Sequence, residues 1–112
     1  MEKMLYEERP LGYETIRSVG IMSTVIRFGI NQTADGWECK EVCVNHTEPL
    51  VEADYGRIVA AIVRSRYSSD DVEAIIQNYL SDKTTEHMEE FDELQQWRAE
   101  AKRLARTIIN NQ

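Results

Sequence analysis

The chain is poor in residues that staple or interrupt a fold: two cysteines, two prolines and five glycines among 112 residues. So few cysteines exclude a disulfide scaffold, and so little glycine and proline excludes collagen-like repeats and low-complexity disorder. Long apolar runs are missing as well. The longest, Ile58 to Val63, has six residues, against the roughly 20 that a spanning helix needs. Met1 to Glu8 lack the apolar stretch of a secretory signal. The sequons at Asn31 and Asn45 therefore read as chance matches. Neither G-x-G-x-x-G nor G-x-x-x-x-G-K occurs, so no phosphate-cradling loop is signalled. Histidine is limited to His46 and His87.

Positive charge is also short: 13 Lys and Arg stand against 20 Asp and Glu, a formal charge of −7. Nucleic-acid binders draw most of their affinity from neutralising phosphates. Basic residues here cluster only at Arg64/Arg66 and at Arg98, Lys102, Arg103 and Arg106. So modest a clustering makes nucleic acid a secondary reading; the expected partners are other protein chains, a second copy included, and no membrane. Cys39 and Cys43 are four apart in an expected strand, about 13 Å between Cα atoms, too far for a bridge. Free thiols in a reducing cytoplasm are expected.

What is present is a change of period. Residues 1–11 are polar and read as a loosely ordered arm that could hold a short strand. Gly12 to Val19 alternate weakly, Ile21 to Ile30 are rich in β-branched and aromatic types, and Trp37 to Asn45 form a third run. Asp35-Gly36 makes the last two runs an antiparallel hairpin. After Pro49 the period moves to 3.6. Tyr55, Ile58, Val59, Ile62 and Val63 make one stripe, with Asp54 placed to cap the helix. Ser68 to Asp71 fits a capping box before Val72, Ile75, Ile76, Tyr79 and Leu80. Thr84 or Thr85 opens a third helix that runs to about Ile109, close to 38 Å. The expected fold is a single α+β domain over 1–112. It comprises the 1–11 arm, a three-stranded antiparallel β-meander over 12–46 and three helices over 54–110, the last one long.

Candidate chemistry is sparse. Cys43 and His46 could form a nucleophile and base only if His46 lies in a turn, since an odd offset puts them on opposite faces of a strand. Cys39, Cys43 and His46 lack a fourth nearby metal ligand. His87 and Glu90 give one reversed Glu-x-x-His pattern where a di-iron bundle uses two. No catalytic residue, metal or cofactor is therefore assigned. The most informative feature is a seam on the third helix, Leu94, Trp97, Ala101, Leu104 and Ile108, stepping by three and four. It suits packing on the first two helices, and an overhanging end of so long a helix suits packing on another copy. Tyr67, Tyr79 and Trp97 add amphipathic rings suited to a core rim or an interface.

An ordered set of residues runs through the second half: Tyr55-Gly56-x-Ile58-Val59, Arg66-Tyr67-Ser68, Asp71, Ala74-Ile75, Asn78-Tyr79-Leu80, Gln96-Trp97-Arg98, Ala101-Lys102 and Ala105. With Gly12-Tyr13-x-x-Ile16-Arg17, this resembles small uncharacterised proteins encoded in bacteriophage and prophage structural gene clusters, chiefly of gut bacteria. The resemblance implies a virion or assembly-related component that acts by protein contact in the host cytoplasm, and it brings no catalytic residues. The candidate contact residues are Tyr67, Asn78, Tyr79, Trp97, Arg98, Leu104 and Ile108. For Asn78 and Arg98, a bond to a helix end and a stack on a tyrosine are equally open. Two alternatives stand beside this reading. One is a small regulator holding nucleic acid through Arg98, Lys102, Arg103 and Arg106. The other is an enzyme with His46 or His87 in a pocket beside an acid.

Overall fold

The computed structural model describes residues 2–112. It is α+β, a four-stranded antiparallel sheet followed by three helices with the last one long. The chain separates into two compact units. One holds the residues up to Val51 together with Gln112, and the other holds Glu52–Asn111.

In the first unit the strands are β1 (Glu2–Tyr6), β2 (Tyr13–Ser18), β3 (Ile21–Thr33) and β4 (Gly36–His46), in the order β1-β4-β3-β2. The expected meander is present as β2 to β4. The correction is the fourth strand. Part of the segment expected to be a loose arm is β1, paired with β4 in the register Met4–Cys39 and Tyr6–Trp37. Its partner lies some 35 residues downstream, and its fixings are polar. Lys3 pairs with Glu38 at 2.6 Å, and the Tyr6 hydroxyl donates to Glu41. An edge strand held by backbone bonds and ion pairs leaves little trace in an apolar pattern.

The register sorts the side chains by face. Thr24, Ile26, Val44 and His46 share one side of the sheet, and Val25, Arg27 and Cys39 share the other; all seven are buried. β3 therefore loses its alternation at Thr24 to Arg27, where four consecutive residues are inside. Gly29 and Ile30 together oppose Cys39, a bulge that Gly29 permits with φ 62°. The hairpin turn is Ala34-Asp35, so β3 runs three residues past Ile30. Gly36 has φ 140°, and a Cβ there would lie 2.6 Å from the Tyr6 carbonyl oxygen. A glycine at this corner lets β1 close against the hairpin.

In the second unit a short 3-10 turn (Glu52–Asp54) leads into α1 (Tyr55–Arg66), then α2 (Ser69–Ser81) and α3 (Thr85–Asn110). Helix α1 starts where expected, but Asp54 does not cap it. Asp54 is itself helical, at φ −87° and ψ −8°, and its carboxylate accepts from Arg57 at 3.3 Å. The Ser68 capping box is present in both directions, with Asp71 N–H to Ser68 Oγ at 3.0 Å and Ser68 N–H to Asp71 Oδ2 at 3.2 Å. Thr84 caps α3 by accepting from the His87 N–H at 3.3 Å.

Helices α1 and α2 both pack on α3. Arg106 lies over the Tyr55 ring, Trp97 bonds Ile62, and Tyr79 stacks on Phe91. Two helices of 12 and 13 residues thus pack along one of 26. Of the seam, Leu94, Ala101 and Ile108 are wholly buried with Ala105, while Trp97 and Leu104 are half-buried. Helix α2 buries no residue completely. Leu80, expected in its inward stripe, is 70% exposed. The stripe on α2 is wider than the one helix it packs on can cover.

Candidate functional site

Helix α1 ends because Tyr67 turns extended, at φ −127° and ψ 125°, its N–H still donating to the Val63 carbonyl at 2.9 Å. That turn aims Ser68 at its capping position and leaves an angle between α1 and α2. A groove of about 340 Å³ occupies the angle. Val59, Ala60 and Val63 from α1 and Val72 from α2 provide its apolar lining, and Tyr67, Arg64 and Arg98 line it with them. Gly56 and Ala60 are one turn apart on α1, and these small residues keep the groove open.

Beside the groove, the Arg66 guanidinium carbon is 5.3 Å from the Tyr67 ring centroid and 5.4 Å from that of Trp97. Both distances are in the range of cation–π attraction. Trp97 is fixed by its indole N–H, which donates to the Ile62 carbonyl at 3.1 Å.

The structure brings together three of the sequence-derived contact residues. Tyr67 and Arg98 line the groove, and Trp97 is next to it in a shallow depression with Arg66, Glu93 and Gln96. The others lie elsewhere. Asn78 is exposed on α2. Tyr79 stacks flat on Phe91, with centroids 4.0 Å apart and planes at 7°. Leu104 is half-buried, and Ile108, at 0% exposure, offers no surface. Among the described residues the arginines that lie over tyrosine rings are Arg27 on Tyr6, Arg66 on Tyr67 and Arg106 on Tyr55, and not Arg98. Arg64, Val59, Ala60 and Val72 were not among the residues that sequence singled out for contact. The hint that could have found the groove is the small pair Gly56 and Ala60 on a helix whose last turn holds Arg64 and Arg66.

The sheet unit holds two polar networks. His46 is buried, its Nδ1 2.7 Å from the Glu48 carbonyl and its Nε2 2.8 Å from Thr24 Oγ1, which in turn meets Thr15 Oγ1 at 3.0 Å. The Glu48 carbonyl can only accept, so Nδ1 donates to it. Both ring nitrogens are engaged in holding strands and the following turn together. Cys43 is exposed on the opposite face of β4, so the thiol and the imidazole do not meet. Cys39 shares the face of Cys43, which also separates it from His46, and no group of three or more His, Cys, Asp or Glu able to hold a metal is present among the described residues. Burial pushes the Cys39 thiol up, with Glu41 adding to the effect.

On the other face of the sheet, Arg27 is enclosed, its side chain 3% exposed. Its Nε donates to Glu41 at 2.5 Å, Nη2 to Glu14 at 2.8 Å and Nη1 to the Leu11 carbonyl at 3.0 Å. Burial by itself would lower its pKa, but the bonds to Glu14, Glu41 and Tyr6 raise it above the ordinary arginine value. The Tyr6 hydroxyl is likewise held protonated, first by its bond to Glu41 and then by burial.

The basic end of α3 is partly neutralised. Arg103 grips Glu100 with two bonds, at 3.0 and 2.6 Å, and Arg106 pairs with Glu52 while lying 4.5 Å over Tyr55. No helix among the described residues is long and apolar enough to cross a membrane. No protein-family model, curated protein or solved structure matches the chain.

Proposed function

We propose that this protein works by contact with other protein chains, as a structural or assembly component derived from a phage or prophage. It would be made in the host cytoplasm and become associated with the virion or its precursors. The observation that carries the reading is the α1–α2 groove, an accessible apolar lining in which Tyr67 and Arg98 stand together. Surfaces that combine aromatic rings, arginine and apolar floor are enriched at protein interfaces. The phage context rests on the resemblance carried by the ordered residues from Tyr55 to Ala105, a set that includes Tyr67 and Arg98.

The nucleic-acid alternative draws less support. Two of its four cations, Arg103 and Arg106, already have carboxylate partners, which a phosphate backbone would have to displace. The enzyme alternative has to contend with a His46 whose two nitrogens are both bonded and a His87 whose Nδ1 is 2.8 Å from the Asp82 carbonyl.

Co-expression with the products of the flanking genes tests the proposal. The expected result is co-elution with at least one of them, lost in Tyr67→Ala/Arg98→Glu with the helical circular dichroism retained. Elution apart from every neighbouring product overturns it.

A further inference from the structure

The groove carries two charges that the molecule leaves unanswered. Arg64 is exposed and Arg98 half-buried, and neither makes an ion pair or side-chain hydrogen bond among the described residues. In a chain with seven more acids than bases, unanswered guanidiniums at the mouth of an apolar groove stand out.

The same helical unit presents the complementary chemistry at another place. Where α2 turns into α3, Leu80 is 70% exposed and Met88 is 46% exposed. Glu89 and Asp92, also exposed, follow Met88 on α3, and neither carboxylate has an ion pair among the described residues. Asp92 is four residues after Met88 and so lies on its face of the helix. This end of the hairpin thus carries two exposed apolar side chains and the acids Glu89 and Asp92, while the one base in the turn, Lys83, lies 4.9 Å over the Tyr79 ring. The groove is an apolar lining accompanied by bases.

Arg98 and Met88 are ten residues apart on one straight helix, about 15 Å. A rigid α3 cannot fold its own acidic end back into the groove. We infer that the groove of one molecule receives the α2–α3 hairpin end of a second copy, with Leu80 and Met88 entering the apolar lining and Glu89 and Asp92 facing Arg64 and Arg98. This deepens the protein-contact reading and rests on it, naming the chain itself as one occupant. The two surfaces differ, so the contact is head-to-tail, and repetition gives a ring or an open filament according to the rotation between neighbours. The groove is near the small end of natural binding cavities, which run from about 300 to 1,000 Å³. Assembly should accordingly be concentration-dependent and, because the charges are exposed, sensitive to salt.

Light scattering on the eluting full chain, over rising concentration and at low and high salt, tests the inference. Wild type should reach about twice the monomer mass or more, as head-to-tail association requires, and should fall back towards monomer in high salt. Arg64→Glu/Arg98→Glu should be monomeric, and so should Glu89→Lys/Asp92→Lys. Their mixture should regain mass, since the reversed charges complement each other. All four positions lie at least partly in solvent, and helical circular dichroism confirms that both variants fold. A wild type that stays monomeric overturns the inference, as does association that both reversals leave intact or a mixture that stays monomeric. A monomer that still co-elutes with a flanking gene product removes self-docking alone. Self-association with rescue by mixing, but without binding to any neighbour, upholds the inference and counts against the assembly role.

Discussion

Arg27 shows how far a single residue can be from its sequence appearance. In the sequence it is one cation inside a strand rich in β-branched residues. In the structure it is buried on a sheet face, with Glu41 on the paired position of β4, Glu14 on β2 and Tyr6 on β1. It ties all four strands together. Removing one member of such a pair leaves a buried charge without its partner, which typically costs about 3–5 kcal/mol. Glu41→Ala should fall at the lower end of that range, because Glu14 still bonds Arg27. Replacing both partners with apolar residues of similar volume should cost less than the single change. Urea unfolding of Glu41→Ala and of Arg27→Met/Glu41→Leu measures both values. A double variant less stable than Glu41→Ala would show that the cluster contributes more than charge compensation. None of this was legible, because the four residues meet only through register, which no local pattern encodes. The Ser68 cap, by contrast, depends on two side chains three positions apart and was readable at once.

At the scale of elements, what could be read tracked the range of the interactions. Helix α3 rests on i to i+4 spacing, and its bounds were legible to within a residue. The β3–β4 hairpin was legible from Asp35-Gly36 and two flanking runs. Strand β1 was legible only as an optional short strand in the arm, and its pairing with β4 was not, since its partner is distant and its stabilising contacts are polar. The periodicity of α2 gave its helical state correctly but overstated its burial, because period says which residues share a face and not how wide the covering neighbour is. A pair of leucines separates these two kinds of information. Leu94 is wholly enclosed, so Leu94→Ala should cost about 2–5 kcal/mol. Leu80 is 70% exposed, so Leu80→Ser should stay within about 0.5 kcal/mol of wild type. Thermal or chemical denaturation of the two variants gives the comparison. A large loss from Leu80→Ser would mean that this side chain is covered in solution, which the head-to-tail contact would itself produce at high concentration. The comparison therefore belongs at low protein concentration.

For the molecule as a whole, the excess of acid sets a strong expectation about polyanions. A net charge of −7 repels nucleic acid, and only a concentrated basic face could overcome it. The candidate face on α3 has Arg103 held by Glu100 and Arg106 held by Glu52, and each of these arginines has its pKa raised chiefly by its carboxylate partner. A DNA phosphate would have to replace those partners, while the released Glu100 and Glu52 would remain nearby as repelling charges. The groove cations Arg64 and Arg98 are free of such competition, but they flank an apolar lining that a phosphate backbone would leave unfilled. The full chain should therefore pass through immobilised duplex DNA without retention even near 50 mM salt, where a protein making several phosphate contacts binds about a thousand-fold more tightly than at 200 mM. Arg103→Glu/Arg106→Glu should behave in the same way. Retention at low salt that this variant loses would transfer the basic end of α3 from intramolecular pairing to nucleic-acid binding. It would also make the acidic surplus a screen against the wrong polyanions rather than a guide to protein partners.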